Sequence, residues 1–322
     1  MDSPRPGCLL RRPGPAKLVE KWPGLQVDDE RLLSVLPRDA RLFCLHEGAL
    51  HGEGPVWDPA NRRLLWSDVS NRRLLAWHGD GRVEAVLDPT HFLNGNARDR
   101  NGVFYHCEHG RRCISRSAGN GEPVPVVSRF EGRRLNSPND VAVAADGAVW
   151  FTDPQFGILT PSQGSLQEPE LDHCSVYRFD PGNGSLRRMA DFEQPNGLAF
   201  SPDGKLLYVS DTSRSLREVP GAHPDGDAHR IEAFDVAPGG TLSGRRLFFP
   251  TDHGVPDGLK VDRRGWVWST AGDGIHIVAP DRTRLGYVPT PVVAANCAFG
   301  GTDGRRLFIT AEQYLLAVDL LT

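Results

Sequence analysis

The chain has 322 residues, 39 % of them apolar, and a formal net charge of −4 at neutral pH. That balance gives no bulk attraction to nucleic acid, and no apolar run is long enough to span a membrane. With 35 Gly, 26 Pro and almost no helical periodicity, the composition points to an all-β chain dense in turns, with enough apolar residues for a sizeable core.

In chain order, residues 1–27 are rich in Pro, Gly and Arg and read as irregular and peripheral. The start MDSPRPGCLLRRPGP has no apolar segment of the signal-peptide kind, so the expectation is a cytoplasmic protein. The stretch DDERLLSVL (28–36) predicts a short helix, with Asp28 or Asp29 near its N-cap and Leu32, Leu33 and Leu36 on one face. Residues 1–39 are thus an N-terminal extension with a possible short helix, and ARLFCLHEG (40–48) opens the main domain, 40–322, as a strand. Six cysteines (8, 44, 107, 113, 174, 297) show neither CxxC nor zinc-site spacing and read as buried thiols.

From Glu53 onward one spacing recurs six times. A polar residue opens an apolar strand and a turn residue follows eight positions later: Glu53/Asn61, Asn94/Gly102, Asn139/Gly147, Asn196/Gly204, Asp257/Gly265 and Asn296/Gly304. Asp-Gly and Asn-Gly steps accept the positive φ of a tight hairpin. A second apolar run follows each turn, such as LLWSD (64–68), AVWFTD (148–153) and LLYVSD (206–211). The anchors lie 39 to 61 residues apart, which suits one blade per interval with loops of unequal length. The prediction is a six-bladed β-propeller. Its last blade lacks an outer strand after LLAVDL (315–320), and the 40–48 strand supplies it, because an open ring would leave a bare sheet edge. The polar insertions 155–172 and 212–229 are loops, the first a candidate lid.

Inner strands of a propeller begin at the central channel. Glu53, Asn139, Asn196 and Asp257 would therefore bring two carboxylates and two amide oxygens to one cavity, the donor set of a hard cation. Calcium fits best, since it takes about six to eight oxygens in loose geometry; Mn2+, Mg2+ and Zn2+ stay open, although no anchor is His or Cys. Asn94 and Asn296 share the register and are weaker candidates, able to bind a substrate or simply the channel wall. His109 in CEHG, or His106 nearby, could donate to a substrate hydroxyl or shuttle a proton. Asp68, Asp153 and Asp211 close the second strands and read as loop caps; Trp66, Trp150 and Trp268 read as packing between blades.

The motifs GEGPVWDPANRRLLWSDV, CEHG, RRLNSPNDVAVAADGAVWFTDPQFG, QPNGLAFSPDGKLLYVSDT, VPDGLKVDRRGWVWST and NCAFGGTDGRRLFIT together resemble the SMP-30/gluconolactonase/luciferin-regenerating family, in its bacterial gluconolactonase-like branch, over about residues 45–320. The resemblance implies a divalent cation, usually calcium, held by Glu53, Asn196 and Asp257, with Asn139 direct or through water. It implies hydrolysis of a cyclic ester, with a sugar lactone such as D-glucono-1,5-lactone as substrate, Asp257 as catalytic general base or nucleophile, and Asn94, His109, Asn139 and Asn296 as candidate substrate contacts. Ser137 stands where the animal branch keeps a basic residue. The expected partner is a small lactone, with no nucleic acid or membrane, on a monomer or weak homodimer. Hydrolysis of other lactones or organophosphate-type esters at the same site, or a calcium-stabilised propeller without turnover, are the alternatives.

Overall fold

The computed structural model describes residues 9–12, 14–218 and 227–321. Cys8 and part of the 212–229 insertion lie outside the described residues. Among the described residues six antiparallel blade sheets follow one another along the chain, with a two-stranded ribbon, Arg129–Phe130 and Arg133–Arg134, between the second and third. Their inner strands are Gly52–Asp58, Leu93–Arg98, Val141–Val143, Pro195–Phe200, Leu259–Val261 and Asn296–Gly300. Each inner strand touches the next, and the last touches the first, so the blades close a six-bladed propeller.

The hairpins follow from the turns. Gly102, Gly147, Gly204, Gly265 and Gly304 all adopt positive φ at the predicted positions. In the first blade the left-handed residue is Arg62, one place after the predicted Asn61. Asn61 instead donates from Nδ2 to Asp58 Oδ2 at 2.7 Å and steadies the turn from its side chain.

The core lies between blades rather than in one centre. Trp66, Trp150 and Trp268 are fully buried, each in a different interblade cluster. Trp150, for example, packs with Leu198 and Val209 of the following blade. Asp68, Asp153 and Asp211 cap loops as expected: their carboxylates accept from the backbone N–H groups of Leu50, Asn136 and Gln194 at 2.8–3.0 Å. Among the described residues the five cysteines form no disulfide, and no helix is long and apolar enough to cross a membrane.

The ring closes where predicted. Leu42–Glu47 pairs antiparallel with Tyr314–Asp319 of the last blade. The helix exists as a 3-10 turn, Glu30–Ser34, with Asp29 as N-cap accepting from Arg31 N at 2.9 Å.

Among the described residues of 1–27, the reading of this stretch as irregular and peripheral is overturned. Leu9–Arg11 pairs with Val83–Leu87 of the first blade, Lys17–Leu18 with Leu42–Glu47, and Gln26–Val27 with Arg284–Pro289 of the fifth blade. These pairings are two or three residues long, too short to show a period in sequence, and their edges are satisfied by the partner blades. Between them, Val19, Trp22 and Leu25 pack on the cluster built around Trp268 and Leu316, and Trp22 Nε1 donates to Pro289 O at 2.8 Å.

Deleting residues 1–27 should therefore lower the melting temperature by about 5–10 °C, the loss of one large aromatic contact and three strand pairings in a chain this size. Deleting residues 1–49 also removes the closing strand and should abolish a cooperative, monomeric melt. Thermal scans with size-exclusion chromatography check both; a 1–27 deletion as stable as the parent would show the three pairings to be passive.

Candidate functional site

Five of the six anchors are buried side chains at the propeller axis: Glu53, Asn94, Asn139, Asn196 and Asn296 are only 2–6 % exposed. Asp257 is partly exposed. The anchors are brought together by a steric device. The residue after four of them is glycine, and a Cβ there would overlap the next blade. At Gly54 it would lie 2.2 Å from Asn94 O, at Gly95 2.5 Å from Asn139 O, at Gly197 2.4 Å from Asp257 O, and at Gly258 2.2 Å from Asn296 Cγ. Hydroxyls of the second strands pin carbonyls of the anchors: Ser67 donates to Asn94 O, Thr152 to Asn196 O and Ser210 to Asp257 O, each at 2.7 Å.

The centre is electrostatically strained. Burial pushes the Glu53 carboxyl up to about 7, with Asp140 nearby adding to the rise, while Gly54 N and Asn296 Nδ2 donate to Glu53 Oε2 at 2.9 and 3.3 Å. Asp257 is raised well above the usual carboxylate range, by burial first and then by the charges of Glu53 and Asp140; the amide of Asn196 opposes the shift. Carboxyls that resist ionisation together mark a cavity short of positive charge. Asn94 Oδ1 is buried with no hydrogen-bond partner. Carboxyls raised by burial beside an unpartnered amide oxygen fit a hard divalent cation. Among the described residues no group of three or more His, Cys, Asp or Glu side chains is drawn close enough to hold an ion by itself, so amide oxygens beside Glu53 and Asp257 would have to complete the shell.

The histidines separate. His106 is wholly buried between Asn96 Oδ1 (2.6 Å) and Ser117 Oγ (2.8 Å), and burial takes its imidazole down to about 3. It is a packing residue, not a proton shuttle. His109 faces Asn94: its Nε2 lies 3.3 Å from Asn94 Nδ2 and its Nδ1 3.0 Å from Gln163 O. With Nδ1 donating and Nε2 accepting, the ring is neutral and both nitrogens are used, so it orients Asn94 rather than donating to a substrate. Its partner Gln163 belongs to the predicted lid, which folds as a short helix, Phe156–Leu159, and a turn over the His109 ring; a Cβ at Gly157 would sit 2.5 Å from that ring. Ser137 is spent on the same segment, donating to Pro154 O at 2.6 Å and accepting from Gly157 N at 3.0 Å.

Three site residues escaped the sequence reading. Asp140 and Lys260 act on Glu53 electrostatically with opposite sign, and Lys260 Nζ lies 3.8 Å from Asp140 Oδ2. His51 neighbours His109 electrostatically, and its imidazole is lowered by burial. One signal was available: the position after the anchor is Gly in four blades and Asp140 in the third.

The fold and site are those of a propeller with a polar, oxygen-lined axial centre, and comparison with known proteins gives the lineage. Residues 51–313 match the model of the SMP-30/Gluconolactonase/LRE-like region, and the chain belongs to that family. It is 31 % identical over 313 residues to a gluconolactonase of Zymomonas mobilis, covering 89 % of this chain and 83 % of that protein. A solved gluconolactonase structure from Xanthomonas campestris superposes with a TM-score of 0.90 at 46 % identity, covering 97 % of this chain and 99 % of the other. A calcium-binding protein, regucalcin, from Agrobacterium tumefaciens shares the fold, with a TM-score of 0.67 at 20 % identity over 86 % of this chain and 93 % of its own.

Burial holds the His109 imidazole down at about 4. A folded value below the unfolded one means that its contribution to stability is full above about pH 6.5 and is lost as pH falls toward 4. NMR titration should find His109 still neutral at pH 5.5, and His109→Gln should flatten the acid side of the stability profile. A His109 midpoint near 6.5 would contradict the two hydrogen bonds assigned to the ring.

Proposed function

We propose that this chain is a calcium-dependent lactonase that hydrolyses a sugar lactone, D-glucono-1,5-lactone or a close aldonolactone, to the aldonic acid. The observation that carries it is the convergence at the axis of Glu53, from the first blade, and Asp257, from the fifth, two carboxyls raised by burial and by the charge of Asp140. The gluconolactonases among its relatives support the reaction type, a hydrolase acting on a cyclic ester.

Glu53, Asn196 and Asp257 would hold the cation, with Asn139 as the fourth protein group. A bound dication supplies polarisation of the ester carbonyl and stabilises the negative charge that grows on its oxygen. The remaining work falls to the chain. Asp257, which is partly exposed, takes a proton from the attacking water. Asn196 bears on Asp257 and fixes its orientation. Asn94, aimed by His109, presents its unsatisfied Oδ1 to a substrate hydroxyl, and the 155–165 segment covers His109 and limits water at that wall. A neutral, hydroxyl-rich lactone suits this amide-lined entrance better than an apolar ester does.

Proton release from fresh gluconolactone, corrected for spontaneous opening, tests the proposal. Activity should disappear with chelator and return with calcium. Asp257→Asn should lower kcat by about a hundredfold or more while calcium still binds, the scale of losing a positioned base. Glu53→Gln should weaken calcium by at least about tenfold in calorimetry, since it removes one of two formal charges. Corrected rates that are equal with and without protein across a panel of lactones would leave a calcium-stabilised binding propeller instead.

A further inference from the structure

Lysine is rare in this chain: there are four, at 17, 21, 205 and 260, among 37 basic residues. One of them stands at the propeller axis. Lys260 lies three residues past Asp257 on the inner strand of the fifth blade. Its Nζ is 3.8 Å from Asp140 Oδ2 of the third blade and donates to Asn296 Oδ1 of the sixth at 3.3 Å and to Leu259 O at 3.0 Å. Asn296 also accepts from Cys297 N at 2.9 Å on Oδ1, which leaves its Nδ2 to donate to Glu53 Oε2. The side chains thus form a continuous path, Asp140 to Lys260 to Asn296 to Glu53, across four blades.

Asp140 is nine-tenths or more buried, and its Oδ2 has no hydrogen-bond partner. Its Oδ1 is satisfied by Val141 N at 2.9 Å. The Lys260 ammonium is therefore the charge that faces its second oxygen. A cavity of about 520 Å3 also reaches Lys260, lined by Val56, Val141, Leu198 and Ala298 together with the polar side chains of Asn96 and Arg98.

We propose that Lys260 is a positioning residue for the axial centre: it neutralises Asp140 and turns the Asn296 amide toward Glu53, so that only Glu53 and Asp257 remain as uncompensated carboxylates, the charge of one dication. The inference rests on the cation reading above and deepens it. Three carboxylates against one ammonium leave a charge of two negative at the axis, and a dication brings it to neutral without over-binding. The lysine thereby sets affinity, keeping the ion from settling on Asp140.

Calcium titration of the full chain at pH 8, followed by calorimetry, tests this without an activity readout. Lys260→Met keeps the stem and removes the charge. It should bind calcium about tenfold or more tighter than the parent, because a third carboxylate joins the field of the ion. Asp140→Asn should bind about tenfold more weakly, since the ammonium then repels the ion unopposed. The double variant should return to within about threefold of the parent. In chelator, Lys260→Met should melt lower than the parent and gain more from added calcium. If Lys260→Met binds no tighter than a parent that does bind calcium, Lys260 is a packing residue and this inference fails while the cation reading stands. If Lys260→Met does not fold, Asp140→Asn decides: unchanged affinity overturns the proposal. If the parent takes up no calcium, the cation reading fails and this inference falls with it.

Discussion

The whole centre depends on how closely six strands can approach one axis. Gly54, Gly95, Gly197 and Gly258 mark the contact: at each, a methyl group would enter the backbone or side chain of the following blade. No side chain can be spared at these points, so the polar groups of the site come from the residues just before, whose carbonyls are held by Ser67, Thr152 and Ser210 of the preceding blades. Position and function are thus set together. The same packing that seals blade to blade fixes where Glu53, Asn94, Asn196 and Asp257 point, and a site built on strands tolerates less error than one built on loops.

Convergence has an electrostatic consequence. Carboxylates withdrawn from water are costly unless they are paired, and Glu53 and Asp257 respond by resisting ionisation. Aspartates that end the second strands are also buried, and burial raises Asp153 to about 7 and raises Asp211 as well. The two sets differ in what they hold. Asp68 accepts from Leu50 N and pairs with Arg73 at 2.6 Å, and Asp153 and Asp211 accept from the backbone N–H groups of Asn136 and Gln194, so each ties a loop to its blade. Glu53 and Asp257 instead converge with Asp140 on one axis, and that convergence cannot be read from residue type.

How much was legible in the sequence follows the same division. The eight-residue spacing encodes the inner hairpins because positive φ at their turns requires glycine at five of six places, and the anchors could be named from it. The tryptophans and the capping aspartates were readable from their matched positions. What escaped was whatever depends on a neighbour from another blade. Asp140 hides inside an apolar strand, beside Asn139; Lys260 looks like a solvent-facing residue in GLKVD; the roles of His106 and His109 are decided by Asn96, Ser117, Asn94 and Gln163, which no spacing connects. The strands at 9–11, 17–18 and 26–27 were missed for a related reason: two or three residues carry no period, and their order comes from the blades they join.

The seam between the last and first blades joins these threads. Leu42–Glu47 completes the last blade, and the chain then runs within a few residues to Glu53, the first carboxylate. Gly52 N donates to Glu312 O at 2.9 Å, and Asn296 Nδ2 reaches Glu53 from the last blade. The segment that closes the ring is therefore the one that delivers an acidic group to the axis. Any loosening of the seam moves Glu53 relative to Asp257, which sits on the fifth blade and is untouched by it. Ring stability and the geometry of the centre are one variable here, and an ion held by both carboxylates would bind the first blade to the fifth, acting as a clamp across the seam from the inside while the N-terminal strands hold it from the outside.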